Sequence, residues 1–383
     1  MNDRVNEKSL NVTSLEILSK LEDVLVKKDK TAVKNAEQWE ARRKELFEAA
    51  VEFQYGTIPP KPELVKVDKL YIGGYGKANI YRITAGTKDR FVSFRMKLML
   101  PKKENIKSAK PPVAVDGDLC FNYAMNREYL DVFLDNGIAL ALFDRTELVP
   151  DNKEASREDG PLYCAYPDKT FGAIAAWAWG YGRCVDALEK IGITDPEMIA
   201  FTGHSRGGKT ALLAGVLDTR AAIVNPNNSG AGGAGCYRMH TKAVYNEDNE
   251  KRSEQLSDLL KNFPHWFGPE MQAFAEKEGE LPFDEHMLKA LVAPRVLFTS
   301  EAAGDVWANA PGTYATNLAA SPAFDLLDAS ENLLWYWRPG YHYHDVRDVS
   351  MLVNLICHKK YGEPLADEFF DIPFDPAIID GAF

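Results

Sequence analysis

The sequence lacks the long apolar run that a membrane-spanning helix requires. No stretch of about 18 consecutive apolar residues occurs in its 383 residues, and a helix needs roughly that length to cross a bilayer. An excess of basic residues is missing too, because 45 Lys and Arg stand against 56 Asp and Glu, a formal net charge of -11. Since nucleic acid and anionic membranes attract basic surfaces, we expect neither as a partner.

Cysteine is sparse, and its spacing argues against a fold held together by disulfides. The five cysteines lie far apart with no C-x-x-C pair, which is typical of buried thiols and not of a disulfide framework. Histidines and carboxylates show no metal-ligand spacing, so we expect neither a metal nor another cofactor. The N-terminal residues lack the basic and then apolar pattern of a signal peptide. We therefore expect a cytoplasmic protein, with a secreted or periplasmic protein whose leader has been removed as the alternative.

The chain begins with helical patterns and continues as an alternation of strands and helices. Residues 1–55 carry apolar positions at helical spacing in LEILSKLEDVLVKK and AEQWEARRKELFEAAVEFQYG. We predict an N-terminal helical extension over residues 1–60 and one large domain over residues 61–383. Residues 64–101 alternate with a period of two, which predicts antiparallel strands. From residue 111 onward, strands alternate with helices, which predicts a mostly parallel central sheet with helices on both faces, a three-layer α/β sandwich.

One serine stands where such a fold places a nucleophile. Ser205 is the centre of GHSRG, with the apolar strand MIAFTG before it and the helix-forming KTALLAG after it. A strand, a G-x-S-x-G turn and a helix form the nucleophile elbow of α/β-hydrolases, in which the glycines let a tight turn expose the serine hydroxyl. The first turn of the helix offers N–H groups to an oxyanion, and we assign this role to Arg206. The pattern predicts a serine esterase with the α/β-hydrolase fold.

A serine nucleophile needs a histidine base and a carboxylate that orients the base. In this fold the acid follows the serine along the chain, and the histidine follows the acid. Only WYWRPGYHYHDV places histidines directly after a late strand, and the residues alone do not decide between His342 and His344. For the acid, the loop FTSEAAGDVW offers Glu301 and Asp305. We prefer Asp305, because Glu301 is nearer the strand.

Taken together, these segments resemble the glucuronoyl esterases, carbohydrate esterases of family 15 that cleave esters of 4-O-methyl-glucuronic acid on xylan. The likeness spans most of the chain, and bacterial members are similar in FGAIAAWAWG, TGHSRGGKTAL, NNSGAGG, FPHWF and DEHMLKALVAPR. The resemblance implies a carboxylic ester hydrolase of hemicellulose degradation that uses a Ser-His-Asp triad and an acyl-enzyme. An acetyl esterase of xylan or other sugars with the same triad is the alternative, followed by a carbohydrate-binding pseudoenzyme.

The resemblance also implies roles for residues of the triad. Fungal members carry the acid where this chain has Asn228, whereas many bacterial members take it from a D-x-W-A segment, which begins here at Asp305. The family's H-D-V segment makes His344 the base. Fungal members bridge two cysteines that correspond to His204 and Asp345, a pair that could form a charged hydrogen bond here.

Three further residues match positions that bind the sugar in this family. Lys209 and Glu254 match residues that bind the uronate hydroxyls, and Trp266 matches the tryptophan that packs on the glucuronate ring. An aromatic plate beside charged hydrogen-bonding groups suits a sugar, although Trp266 in the core is the alternative. We expect a small-molecule or oligosaccharide ester as the substrate, bound by a monomer or a dimer.

Overall fold

A computed structural model of the chain describes residues 4–5 and 10–383. Its strands are β1 (Arg4–Val5), β2 (Asn11–Ile17), β3 (Leu64–Ile72), β4 (Ala78–Gly86), β5 (Phe91–Met99), β6 (Val113–Asp116), β7 (Ala139–Phe143), β8 (Ile199–His204), β9 (Ile223–Asn227), β10 (Met239–Val244), β11 (Lys251–Arg252), β12 (Val296–Ala302), β13 (Leu333–Arg338) and β14 (Asp371–Ile372). Its helices are α1 (Ala36–Phe47), α2 (Phe53–Tyr55), α3 (Arg127–Asp135), α4 (Pro161–Ala165), α5 (Ala173–Ile191), α6 (Arg206–Leu217), α7 (Leu256–Asn262), α8 (Glu285–Ala290), α9 (Ala310–Leu326) and α10 (Val346–Tyr361).

The central sheet has nine strands in the described part of the chain, in the order β13-β12-β9-β8-β6-β7-β5-β4-β3. The strands from β13 to β7 run parallel to one another, and β5, β4 and β3 continue the sheet as antiparallel strands. This confirms both the antiparallel start and the parallel remainder. Because parallel strands all end at one edge, the loops after β8, β9, β12 and β13 meet there.

Helices cover both faces of the sheet. The helices α5, α6, α8 and α9 pack on one face, and α3 and α10 pack on the other. Every residue of α5 from Ala173 to Leu188 is buried, as expected for a largely apolar helix that is enclosed by its neighbours. The three-layer sandwich of the α/β-hydrolase fold is confirmed. Within residues 4–5 and 10–383, no helix combines the length and the apolar character that a bilayer crossing requires.

The N-terminal helical prediction is confirmed for one segment and wrong for the other. The helix α1 continues through a π-helical turn (Glu48–Glu52) into α2, as predicted. LEILSKLEDVLVKK, however, begins inside β2, which pairs antiparallel with β10. A bulge leaves Thr13 without a paired residue, and Val12 and Leu15 therefore pack on the same core. Their spacing of three imitates a helix, while the distant pairing with β10 decides the structure. The domain boundary at residue 60 stays a prediction.

Candidate active site

Ser205 occupies a strained turn between β8 and α6. Its backbone has φ 57° and ψ -119°, a conformation that costs a non-glycine residue of the order of 1–3 kcal/mol. The turn is also crowded, because a Cβ atom on Gly203 would lie 2.4 Å from the carbonyl oxygen of Gly207. A Cβ atom on Gly207 would lie 2.1 Å from a carboxylate oxygen of Asp118. The elbow therefore requires glycine on both sides of the serine, because a side chain at Gly203 or Gly207 would clash with neighbouring atoms.

His342, and not His344, contacts the serine. The Nε2 atom of His342 lies 3.0 Å from Ser205 Oγ, and its Nδ1 atom lies 2.6 Å from Asp305 Oδ2. Burial alone would lower the pKa of His342, but the hydrogen bond to Asp305 and its negative charge outweigh burial and raise this pKa above the ordinary 6.5. The three side chains form one line of contacts, in which His342 can accept the proton of Ser205 while Asp305 orients the ring.

The prediction that His344 is the base is wrong, because the ring in contact with Ser205 is that of His342, whereas His344 is half-buried against other rings. It stacks on His204 with centroids 5.2 Å apart and meets Tyr129 edge-on at 5.0 Å. The next residue, Asp345, is the N-cap of α10 and accepts from the N–H of Arg347 at 2.9 Å. His344 is therefore drawn inward with the start of the helix, as residues before an N-cap often are. Burial lowers the pKa of His344 to about 3, which keeps the ring neutral.

The predicted hydrogen bond between His204 and Asp345 is also not formed. The Nδ1 atom of His204 lies 2.6 Å from Asn227 Oδ1, and its ring lies 4.7 Å from that of His342. Asp345 pairs with the guanidinium of Arg347 instead. His204 therefore connects the elbow to the histidine loop by ring packing.

The two other positions considered for the acid have structural partners. Glu301 accepts hydrogen bonds from Thr313 Oγ1 at 2.7 Å and from Trp337 Nε1 at 3.3 Å. Burial raises its pKa to about 8. Asn228 Oδ1 accepts from the N–H of Ala302 at 2.8 Å and so fixes the end of β12. Asp305 is thus the carboxylate that the structure brings to His342.

Lys209 and Glu254 form a buried ion pair one helical turn beyond the serine. The distance from Lys209 Nζ to Glu254 Oε2 is 2.9 Å, and the side chains are 4% and 8% exposed. Lys209 Nζ also donates to the carbonyl oxygens of Ser229 and Ala231, so all three of its N–H groups have protein acceptors. Glu254 Oε1 makes no hydrogen bond to any residue that the structure describes. The backbone N–H of Glu254 donates to the carbonyl oxygen of Trp307, two residues after Asp305, which places the pair near the triad.

Trp266 does not face the substrate side of the site, so the prediction that it packs on a sugar is wrong. Only 2% of the residue is exposed, and its ring stacks on Phe263 with centroids 4.0 Å apart. Its Nε1 atom donates to Asp151 at 2.8 Å. Trp266 is a core tryptophan, the alternative given for it.

The exposed tryptophan near the triad is Trp307, which the sequence analysis did not single out. It is 41% exposed, lies two residues after Asp305, and its carbonyl oxygen accepts from the N–H of Glu254 at 3.0 Å. The guanidinium of Arg252 lies 5.4 Å from its ring. Its place in the D-x-W-A segment was the available signal, since a residue so close to the acid must lie near the site.

Arg206 is the first residue of α6, and both its backbone N–H and its side chain lie at the start of this helix, next to Ser205. Its backbone N–H makes no hydrogen bond to any described residue and points from the start of the helix, where partial positive charge gathers. Its guanidinium Nη1 donates to Asp151 Oδ2 at 2.7 Å. The same guanidinium lies 5.0 Å from the rings of Phe263 and Trp266. Among the described residues, no group of His, Cys, Asp and Glu side chains is arranged to hold a metal ion.

Comparison with known proteins identifies the family. The model of the fungal glucuronyl esterases matches residues 83–328, well over half of the chain. A 4-O-methyl-glucuronoyl methylesterase from Podospora anserina is 30% identical over 321 residues, which are 82% of this chain and 62% of that protein. The chain thus spans less than two thirds of the Podospora protein. A similar methylesterase from Wolfiporia cocos is 29% identical over 80% of this chain and 72% of its own length.

A solved structure agrees with the sequence relatives. The carbohydrate esterase family 15 glucuronoyl esterase from Caldicellulosiruptor kristjansonii has a TM-score of 0.81 and 27% identity, covering 95% of this chain and 96% of its own. Because the family model covers most of the sandwich together with the elbow, this chain belongs to the glucuronoyl esterases, a family of carboxylic ester hydrolases.

Proposed function

We propose that this protein hydrolyses esters of a uronic acid through an acyl-enzyme on Ser205. The observation that carries the proposal is the line of contacts from Ser205 Oγ to His342 Nε2 at 3.0 Å and from His342 Nδ1 to Asp305 at 2.6 Å. Serine, histidine and carboxylate in this order are the groups that acyl transfer requires. The names of the relatives, 4-O-methyl-glucuronoyl methylesterases, support the substrate class.

The reaction begins when His342 Nε2 accepts the proton of Ser205 as the serine oxygen attacks the ester carbonyl. Asp305 holds the Nδ1–H tautomer of His342 and stabilises the imidazolium that forms. The oxyanion is bound by the free backbone N–H of Arg206 and by its guanidinium. When the tetrahedral intermediate collapses, the alcohol leaves with the proton from His342 Nε2. Water, deprotonated by His342, then attacks the acyl-enzyme, which releases the uronic acid and restores Ser205.

The uronate ring is bound by the groups beside the triad. Glu254 Oε1 accepts from a sugar hydroxyl, while Lys209 neutralises the buried carboxylate and fixes its position at 2.9 Å. Trp307, 41% exposed, provides the apolar plate that the sugar face requires. In this proposal Trp307 takes the role that the family resemblance implied for Trp266.

The proposal is tested with two substrates and one pair of serine variants. Benzyl glucuronate should be hydrolysed with a higher kcat/KM than an aryl acetate. Ser205→Ala should remove the activity, whereas Ser350→Ala, on the exposed side of α10, should leave it unchanged. Normal turnover by Ser205→Ala would refute the mechanism. A preference for the acetate would favour a sugar acetyl esterase, and failure of a serine-directed phosphonate to label Ser205 would favour a binding protein without activity.

A further inference from the structure

Asp151 lies where three donors from two distant segments of the chain converge, Arg206 from one and the neighbours His265 and Trp266 from the other. Its Oδ2 atom accepts from Arg206 Nη1 at 2.7 Å. Its Oδ1 atom accepts from Trp266 Nε1 at 2.8 Å and lies 3.1 Å from His265 Nε2. Asp151 follows β7 in the chain and belongs to none of the motifs of the elbow, the acid loop or the histidine loop. Nothing in the proposed reaction uses it directly.

Arg206 needs such a partner because of its position. A cation in the first turn of a helix is repelled by the partial positive charge there, and a free arginine side chain samples many rotamers. Only one of the five N–H groups of the guanidinium is paired with a described residue, namely Nη1 with Asp151. The others remain available on a side chain that is 30% exposed. The pairing therefore restrains the guanidinium without using up its donors.

We propose that Asp151 is a positioning residue that holds the Arg206 guanidinium toward the oxyanion formed at Ser205. Trp266 and His265 fix the carboxylate from its other side, and the rings of Phe263 and Trp266 lie 5.0 Å from the guanidinium. Trp266, which was predicted to pack on the sugar, thereby helps to orient Arg206, together with Phe263 and His265 of FPHWF. This inference rests on the proposed esterase mechanism.

The ionisation of Asp151 is consistent with this role. Burial raises the pKa of Asp151, but the hydrogen bond from His265 and the charge and hydrogen bond of Arg206 lower it more, and the resulting pKa lies well below the ordinary value of 3.8. The carboxylate therefore stays charged at every pH at which His342 can act as a base.

Asp151→Asn breaks this interaction selectively. An asparagine can keep Oδ1 as the acceptor for Trp266 and His265, while its NH₂ group replaces Oδ2 and faces the donors of Arg206. A matched control exists at Asp186, which accepts from Arg183 Nε at 2.6 Å, with Arg183 lying 4.7 Å from the ring of Trp179. Asp186 also pairs with Arg220. Arg220 lies beyond the C-terminal end of α6, and Ser205 lies at its N-terminal end, so the helix of about 18 Å separates the control pair from the serine.

The experiment is a double-mutant cycle of Asp151→Asn and Arg206→Met on benzyl glucuronate and on an aryl acetate. Loss of one oxyanion donor costs about a hundredfold in kcat, so we expect that loss for Arg206→Met and about tenfold for Asp151→Asn, with KM within about twofold. The loss should be equal for both substrates, because the oxyanion is common to them. In the Arg206→Met background, Asp151→Asn should change kcat by less than about twofold. Asp186→Asn should leave kcat unchanged.

The outcomes separate this inference from the proposed function. An unchanged kcat in Asp151→Asn, or an undiminished loss in the Arg206→Met background, overturns the positioning role while the esterase remains. Wild-type protein without esterase activity overturns the proposed function itself. Should Asp151→Asn melt below the assay temperature, Trp266→Phe replaces it, since this variant removes one donor to Asp151 and keeps an aromatic ring. A decrease of kcat of about two- to fivefold that vanishes with Arg206→Met supports the role, and its persistence refutes it.

Discussion

The replacement of Asp305 by asparagine tests the acid of the triad. The amide NH₂ of asparagine would donate to His342 Nδ1 across the present 2.6 Å contact. His342 would then carry its proton on Nε2 and could not accept one from Ser205. A histidine held in the wrong tautomer lowers kcat by about 10⁴-fold in a triad of this type, which corresponds to about 5 kcal/mol of transition-state stabilisation.

The same variant changes the pH dependence. In the wild type, kcat/KM should fall as the pH decreases through the pKa of His342, which Asp305 raises above 6.5. Without that charge, burial lowers the pKa of His342, and the acidic limb of the residual activity should move to lower pH. The assay is the pH profile of kcat/KM for benzyl glucuronate. Glu301→Gln is the control, because Glu301 bonds Thr313 and Trp337 rather than His342, and burial raises its pKa toward the neutral form that glutamine resembles. Equal losses in the two variants, or wild-type kcat in Asp305→Asn, would show that Asp305 is not the acid of the triad.

Three further predictions concern Trp307, the ion pair of Lys209 with Glu254, and His344. Trp307→Ala should raise KM for benzyl glucuronate about tenfold through the loss of about 1.5 kcal/mol of ring contact, with KM for an aryl acetate as the control. Lys209→Met leaves Glu254 buried and unpaired, so it should lower the free energy of unfolding by about 3–5 kcal/mol, as measured by urea denaturation. Lys251→Met, which removes an exposed ion pair, is the control. A smaller loss of stability in Lys209→Met than in Lys251→Met would contradict this prediction. The stability should fall between pH 6.5 and pH 5, because unfolding lets His344 return from a pKa of about 3 to 6.5 and bind a proton. That term is about 2 kcal/mol at pH 5 and should be absent from His344→Phe; an equal pH dependence in the two proteins would disprove it.

Local sequence patterns were sufficient to predict the elbow and most of the sheet. The strand before Ser205, the crowded glycines and the following helix are all encoded within about fifteen residues. The acid could be found because Asp305 lies on a loop at the carboxyl edge of a parallel sheet. The alternation of strands and helices after residue 111 needs no distant information either.

Two of the failures, at Trp266 and at β2, have a non-local cause, whereas the failure at the histidines has a local one. His342 and His344 are two residues apart on an irregular loop, where spacing does not define a face, and the N-cap at Asp345 decides which ring turns inward. Trp266 packs against Trp177, and its N–H donates to Asp151; both residues lie far earlier in the chain. The strand β2 forms because β10 pairs with it from beyond residue 238. The cytoplasmic location and the monomeric or dimeric state stay predictions.

The role of His342 as the base of this esterase can be tested by measuring kcat for benzyl glucuronate in His342→Ala and His344→Phe. His342→Ala should lose about 10³-fold or more, since it removes the acceptor 3.0 Å from Ser205 Oγ. His344→Phe should keep kcat within about fivefold of the wild type, because a phenyl ring can retain the packing on Tyr129 and His204. A large loss in His344→Phe with near-normal turnover in His342→Ala would show that His344, and not His342, is the base.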